Sequence, residues 1–365
     1  MKMKIAYRDL SVTDPSMRRA LLDAVDTVLL HGRLLLGPEV EAFEKSVAAH
    51  CQKKYAVGVN SGTDALFLAL KSLGIGPGDE VITTPLSWIA TANTIVLCGA
   101  TPVFVDIGED LNINPELIFQ AITKKTKAIL PVHFTGKLCN MDRILDIAQA
   151  HNLYVVEDAA QAFGASHRGR MAGSFGHVNC FSMNPMKVYC AYGEAGAIVT
   201  DDLHIYDTLL SLRYAGTINK EDCHRPSLNG RIDTVQAAML LVSLTYLDEK
   251  IKRLQEIASF YANRLGGFLT CPDPGECFHV YYSYTIITEQ RDDLKAYLHD
   301  RGIETKIQHP ILMPHHTAYK KMYGQTNLPV AERLVEQILC IPNHEKLTQT
   351  ELAYIVKTIK DFVDR

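Results

Sequence analysis

From about residue 55 to 200, short apolar runs alternate with helix-length segments, and no other feature of the chain limits its possible folds as strongly. Runs of strand length are Tyr55 to Val59, Glu80 to Thr84, Pro102 to Asp106, Ala128 to His133, Leu153 to Asp158, Asn179 to Met183 and Ala197 to Thr200. Between them lie segments such as Ala65 to Leu73 and Met141 to His151, whose apolar residues recur at helical spacing. Strands separated by helices close into a mostly parallel sheet with helices on both faces. An α/β fold with a seven-stranded sheet is therefore expected.

The C-terminal third has a different rhythm. Thr234 to Leu265 reads as one long helix striped by Leu240, Leu241, Leu244, Leu247, Ile251 and Leu254. A strand at His279 to Thr288 follows, then a helix from Asp292 to Asp300 closed by Gly302, a strand from Glu304 to His309 and a last helix from Thr348 to Phe362. This is the alternation of a small α+β domain. Because 365 residues are too many for one simple core, the expected division is a large domain over 1–245, with an N-terminal arm, and a small one over 246–365.

Bulk properties remove several function classes. A net charge of -4 gives no electrostatic reason to bind nucleic acid or a membrane surface. No apolar run is long enough to span a bilayer, and the N-terminal residues lack a signal peptide's apolar stretch, so a cytoplasmic location is expected. The nine cysteines form no Cys-x-x-Cys pair and read as reduced, mostly buried thiols. His309, His315 and His316, interrupted by Pro310 and Pro314, match no common zinc spacing, so no metal is expected; a loop over the active site that contacts substrate fits them better. Small molecules are the expected partners.

One pairing carries chemistry. An apolar strand ends in Val156-Glu157-Asp158-Ala159-Ala160-Gln161, and Lys187 follows in the short turn Met183-Asn184-Pro185-Met186-Lys187. Pyridoxal phosphate chemistry needs an amine to form a Schiff base with the cofactor aldehyde, and a buried carboxylate to keep the pyridine nitrogen protonated. Asp158 would sit at the carboxyl end of its strand, where open α/β sheets bind ligands; it could equally cap the next turn. Asn60-Ser61-Gly62-Thr63-Asp64 joins a strand to a helix start and could hold a phosphate, with Gly62 admitting close approach, or be a plain N-cap by Ser61 or Thr63. Trp88, the only tryptophan, follows another strand end and could stack on a flat ring or fill the core.

Taken together, these blocks make the chain similar to the DegT/StrS-type family of pyridoxal-phosphate-dependent sugar aminotransferases, which have the fold type I architecture. The resemblance runs through Leu36-Gly37-Pro38-Glu39-Val40-Glu41, Asn60-Ser61-Gly62-Thr63-Asp64-Ala65-Leu66, Gly76-Pro77-Gly78-Asp79-Glu80-Val81 and Gly99-Ala100-Thr101-Pro102-Val103. It continues in Glu157-Asp158-Ala159-Ala160-Gln161, the Lys187 segment and Asn229-Gly230-Arg231-Ile232-Asp233-Thr234. It implies that Lys187 is the catalytic lysine, that Asp158 pairs with the pyridine nitrogen, and that Gln161 contacts the cofactor hydroxyl. It further implies that Trp88 stacks on the ring, that Gly62, Thr63 and Ser182 hold the phosphate, and that Asn229 reaches the neighbouring subunit's cofactor in a homodimer.

Glutamate is the amino donor that the resemblance implies, and the acceptor a keto sugar, expected to be nucleotide-linked, in amino-sugar or surface-polysaccharide biosynthesis. The Arg231-Ile232-Asp233-Thr234 wording leans toward members that aminate a 3-keto over a 4-keto sugar. Arg231 is a candidate for the donor carboxylate. The chain departs from the family's wording at Met186, at Val188-Tyr189-Cys190, at Glu194-Ala195, and at Gln308-His309-Pro310, where His-Tyr-Pro is frequent. These departures bear on the substrate more than on the reaction.

Overall fold

A computed structural model describes residues 3–365. All seven expected strands form one sheet: β1 (Tyr55–Val59), β2 (Glu80–Thr83), β3 (Thr101–Phe104), β4 (Thr126–Leu130), β5 (Tyr154–Asp158), β6 (Val178–Ser182) and β7 (Gly196–Thr200). Their spatial order is β1-β7-β6-β5-β4-β2-β3. Only β7 is reversed, pairing antiparallel with both β1 and β6. Successive side chains of a strand point to opposite faces. Ile129 and Val155 accordingly enter the core on one face, and Ala128, Leu130 and Val156 the core on the other. Because both faces are covered, the strands read as apolar runs without alternation.

Local sequence sets the helix ends. Helix α1 (Pro15–His31) begins where Asp14 accepts the Met17 N–H at 2.7 Å, with Pro15 at its first position, and ends at Gly32 in the left-handed region. Helix α2 (Pro38–His50) again starts on a proline. Helix α3 (Gly62–Ser72) follows β1 and is capped by Ser61, whose hydroxyl accepts the Asp64 N–H at 3.0 Å; α4 (Ala90–Leu97) follows β2.

The long helix expected over Thr234 to Leu265 is two helices. One covers Thr234–Thr245 and the other Leu247–Leu265, with Tyr246 between them. No proline or glycine breaks the run. Instead the Ser243 hydroxyl donates to the Met239 carbonyl at 3.1 Å and the Thr245 hydroxyl to the Val242 carbonyl at 2.8 Å, bonds that compete with the helix ladder and bend it.

Further on, the expected strands shorten. Of His279 to Thr288, only β8 (Tyr284–Ile287) is a strand; it pairs with β9 (Ile338–Ile341), a short apolar run closed by Pro342 that the expected strands did not include. Val280 and Ser283 donate instead to the carbonyls of Gly136 and Thr135, both at 3.3 Å. Glu304 to His309 is no strand either: only Lys306 bridges to Cys340, after which His309 takes a φ of 55° and turns the chain back over the sheet edge. The last helix, Gln349–Val363, has the reciprocal Thr348–Glu351 capping box. It packs with Tyr261, Leu294 and Ile341 in a separate C-terminal core that also takes in Ile5 of the N-terminal arm.

Candidate active site

The parallel strands of the sheet all end on one edge, and the expected residues gather there. Asp158 is the last residue of β5 and only 3% exposed. One carboxylate oxygen accepts the Thr91 hydroxyl at 2.9 Å and the other the Ala160 N–H at 3.2 Å. Burial pushes its carboxyl up, and these bonds, with the Lys187 charge nearby, offset only part of that rise. Among the described residues no cationic side chain forms an ion pair with it. A protonated ring nitrogen would supply one.

Ser182 ends β6, beside β5, and faces the first turn of α3. The approach is tight: a Cβ on Gly62 would stand 2.5 Å from the Ser182 Cβ, so only glycine lets the helix end sit there. Ser61 caps the Asp64 N–H, leaving the N–H groups of Gly62 and Thr63 without acceptors inside the helix, at its positive end. The cap at Ser61 thus leaves the N–H groups of Gly62 and Thr63 open to an outside acceptor.

Lys187 is half-buried in the turn after Ser182, its Nζ 4.7 Å from the centre of the Tyr282 ring. Burial alone would raise the Tyr282 phenol, but the charges of Lys187 and Arg8 outweigh it and hold the group below its ordinary value. Gln161 accepts the Thr135 N–H at 2.8 Å, which directs its amide NH2 away as the free donor. Trp88 is not core: it is 61% exposed, its ring 5.9 Å from that of His309. His309 packs equally close to Phe134; burial, with the nearby Lys187 charge, pushes its imidazole down to about 3, and its Nε2 has no partner.

Asn229 and Arg231 flank the end of β1 and the first turn of α3: Gly230 between them accepts the Asn60 N–H at 3.0 Å, and a Cβ there would stand 3.4 Å from the Asp64 carboxylate. Arg231 bridges to Val59, donates to the Asn229 side chain at 2.8 Å and lies over the Tyr214 ring; Asn229 is exposed. Sequence reasoning missed Thr91 and Tyr282. The spacing of Ser87 and Thr91, one helical turn apart after a strand end, was the available sign of the first. Nothing near Tyr282 in the sequence connects it to Lys187. Glu157, next to Asp158, faces the opposite side of the sheet, where it accepts from His133 and from the N–H groups of Gly173, Phe175 and Gly176. It is a fully paired anchor outside the cleft.

A seven-stranded sheet with one reversed strand, a buried aspartate at a strand end and a lysine in the turn beyond the next strand define a fold type I pyridoxal-phosphate enzyme. The residues fit that cofactor: Asp158 needs a cation, the α3 end offers unpaired N–H groups, and Gln161 offers a donor. Residues 15–360 match the DegT/DnrJ/EryC1/StrS aminotransferase family model, and the chain belongs to that family. It is a pyridoxal-phosphate-dependent aminotransferase.

It is 38% identical, over 99% of its length and 97% of the relative's, to the dTDP-3-amino-3,4,6-trideoxy-alpha-D-glucose transaminase of Streptomyces venezuelae. It is 38% identical, over 96% of each chain, to the UDP-N-acetyl-3-dehydro-alpha-D-glucosamine 3-aminotransferase of Acidithiobacillus ferrooxidans. Among solved structures, S. venezuelae DesV with a ketimine intermediate superposes with a TM-score of 0.96 at 38% identity, covering 99% of both chains.

Proposed function

We propose that the protein transfers the amino group of glutamate to C3 of a nucleotide-linked 3-keto sugar, in amino-sugar biosynthesis. The observation that carries this reading is that Lys187, in the turn after Ser182, lies near enough to the buried Asp158 carboxylate for its charge to offset part of the rise that burial imposes. Whole-length similarity to two transaminases named for 3-amino or 3-dehydro sugars supports the choice of carbon.

In this reading Lys187 anchors the cofactor and moves the proton, Asp158 holds the ring nitrogen, and Gln161 donates to the ring hydroxyl. Gly62, Thr63 and Ser182 hold the phosphate and Trp88 covers the ring. When bound, the cofactor supplies an electron sink for the proton transfer. His309 is the proposed contact to the sugar, supported by its buried, unpaired ring nitrogen beside Trp88, and Arg231 the proposed partner of the donor carboxylate. The dimer is part of the proposal, with Asn229 given to the partner's site. So is the domain border at 245/246, which the helix interruption at Tyr246 supports.

Purified enzyme with glutamate and a panel of keto sugars, nucleotide-linked and free, 3-keto and 4-keto, tests the assignment through 2-oxoglutarate release. Turnover is expected on nucleotide-linked 3-keto sugars, and none with Lys187→Ala of unchanged fold. Preference for a 4-keto or free sugar would overturn the substrate. Retained turnover in Lys187→Ala would overturn the site.

A further inference from the structure

The Asp158 carboxylate does not stand alone. Thr91, 1% exposed in the first turn of α4, donates to one of its oxygens at 2.9 Å, and Ser87, 4% exposed, lies 3.1 Å from the Thr91 hydroxyl. A hydroxyl has one proton and a carboxylate has none, so the Thr91 proton is committed to Asp158 and the Ser87 proton to Thr91. The chain of hydrogen bonds therefore has one direction, Ser87 to Thr91 to Asp158. With Ala160 bonded to the other oxygen, the carboxylate is held from both sides yet keeps lone pairs for a further donor. The same turn carries Trp88, whose carbonyl accepts the Thr91 N–H at 3.1 Å.

We propose that Thr91, oriented by Ser87, is a positioning residue that aims the Asp158 carboxylate and keeps it the weaker base of the pair, so that the proton stays on the cofactor's ring nitrogen. A buried carboxylate that loses a hydroxyl donor becomes a stronger base. It then competes for the ring proton, and the ring becomes a poorer electron sink. The turn linking β2 to α4 thus sets the ring's cover through Trp88 and its protonation through Thr91.

The proposal rests on Asp158 as partner of the ring nitrogen, and the test separates the two. Holoenzyme is prepared with cofactor labelled with 15N in the ring, and the label's chemical shift and the pH dependence of the visible absorbance are recorded. Thr91→Val, nearly isosteric, should move the shift toward that of a neutral ring. It should also lower kcat about 10-fold or more, the scale of a lost hydrogen bond to a charged group, while KM for glutamate stays within about twofold. Thr91→Ser should restore both, and Ser87→Ala should show a smaller change in the same direction. A Thr91→Val enzyme with wild-type shift and pH profile overturns the relay if Asp158→Asn moves the label. If Asp158→Asn does not move it either, the Asp158 assignment itself fails.

Discussion

At the scale of single residues, the site works by giving each polar group a single task. Ser61 caps α3 so that Gly62 and Thr63 need not, and Gln161 spends its carbonyl on Thr135 so that its NH2 faces outward. Trp88 is the exception, a large apolar ring left 61% exposed. Covering it with a flat heteroaromatic ring would bury apolar area and fix the ring plane. Because it is the only tryptophan, its fluorescence reports on one place. Adding pyridoxal phosphate to cofactor-free protein should quench that emission and shift it to shorter wavelength, saturating together with the visible cofactor band. Emission that ignores the cofactor would remove Trp88 from the site.

Between elements, the proposed seat of the phosphate depends on how closely α3 approaches the end of β6. Gly62→Ala tests that contact, since its methyl would meet the Ser182 Cβ at 2.5 Å. Overpacking of this kind costs about 1–3 kcal/mol. If the strain falls on the α3 end, cofactor binding should weaken by about 10-fold or more while the melting temperature of the cofactor-free protein drops only a few degrees. Equal cofactor affinity in the variant would separate the α3 end from phosphate binding. The helix break at Tyr246 belongs to this scale too. Residues before it pack on α1 and α2, whereas Ile257, Tyr261 and Leu265 beyond it enter the C-terminal core.

For the whole molecule, two expectations follow. Helix α1 is apolar on both sides: Leu21 and Val28 are buried, but Leu22, Leu29 and Leu30 are exposed, with Leu34 and Leu35 just beyond. In the proposed dimer a second copy would cover that surface and give the exposed Asn229 something to reach. Mixing inactive Lys187→Ala with an impaired Asn229→Ala enzyme should then regain activity, because mixed dimers hold one intact site. No recovery at any ratio would confine each site to one chain.

Acid sensitivity is the other expectation. His279, whose Nδ1 accepts the Tyr281 N–H at 2.9 Å, is lowered by burial to about 3, as is His309. The unfolded chain takes up these protons as pH falls below about 6.5, while the folded protein does not until about 3. Their contribution to stability is complete above about 6.5 and is lost as pH drops toward 3. The urea midpoint of the cofactor-free protein should fall between pH 6.5 and 5, and His279→Gln should flatten that slope. A slope unchanged by the substitution would mean that the ring titrates normally.

The sequence by itself determined the seven strands and their class of sheet, and singled out Asp158 and Lys187 as candidates, because these rest on local signals: buried apolar runs, turn residues and a chemistry written within short segments. The family wording added the phosphate cradle and Trp88. Tertiary structure alone decided that the helix breaks at Tyr246, that Glu304 to His309 forms no strand and brings His309 against Trp88, and that β9 pairs with β8. It alone brought Thr91 to Asp158 and Tyr282 beneath Lys187. Those contacts join segments far apart in the chain, and their residues gain chemical meaning only once burial removes water and leaves each polar atom the partner that packing supplies.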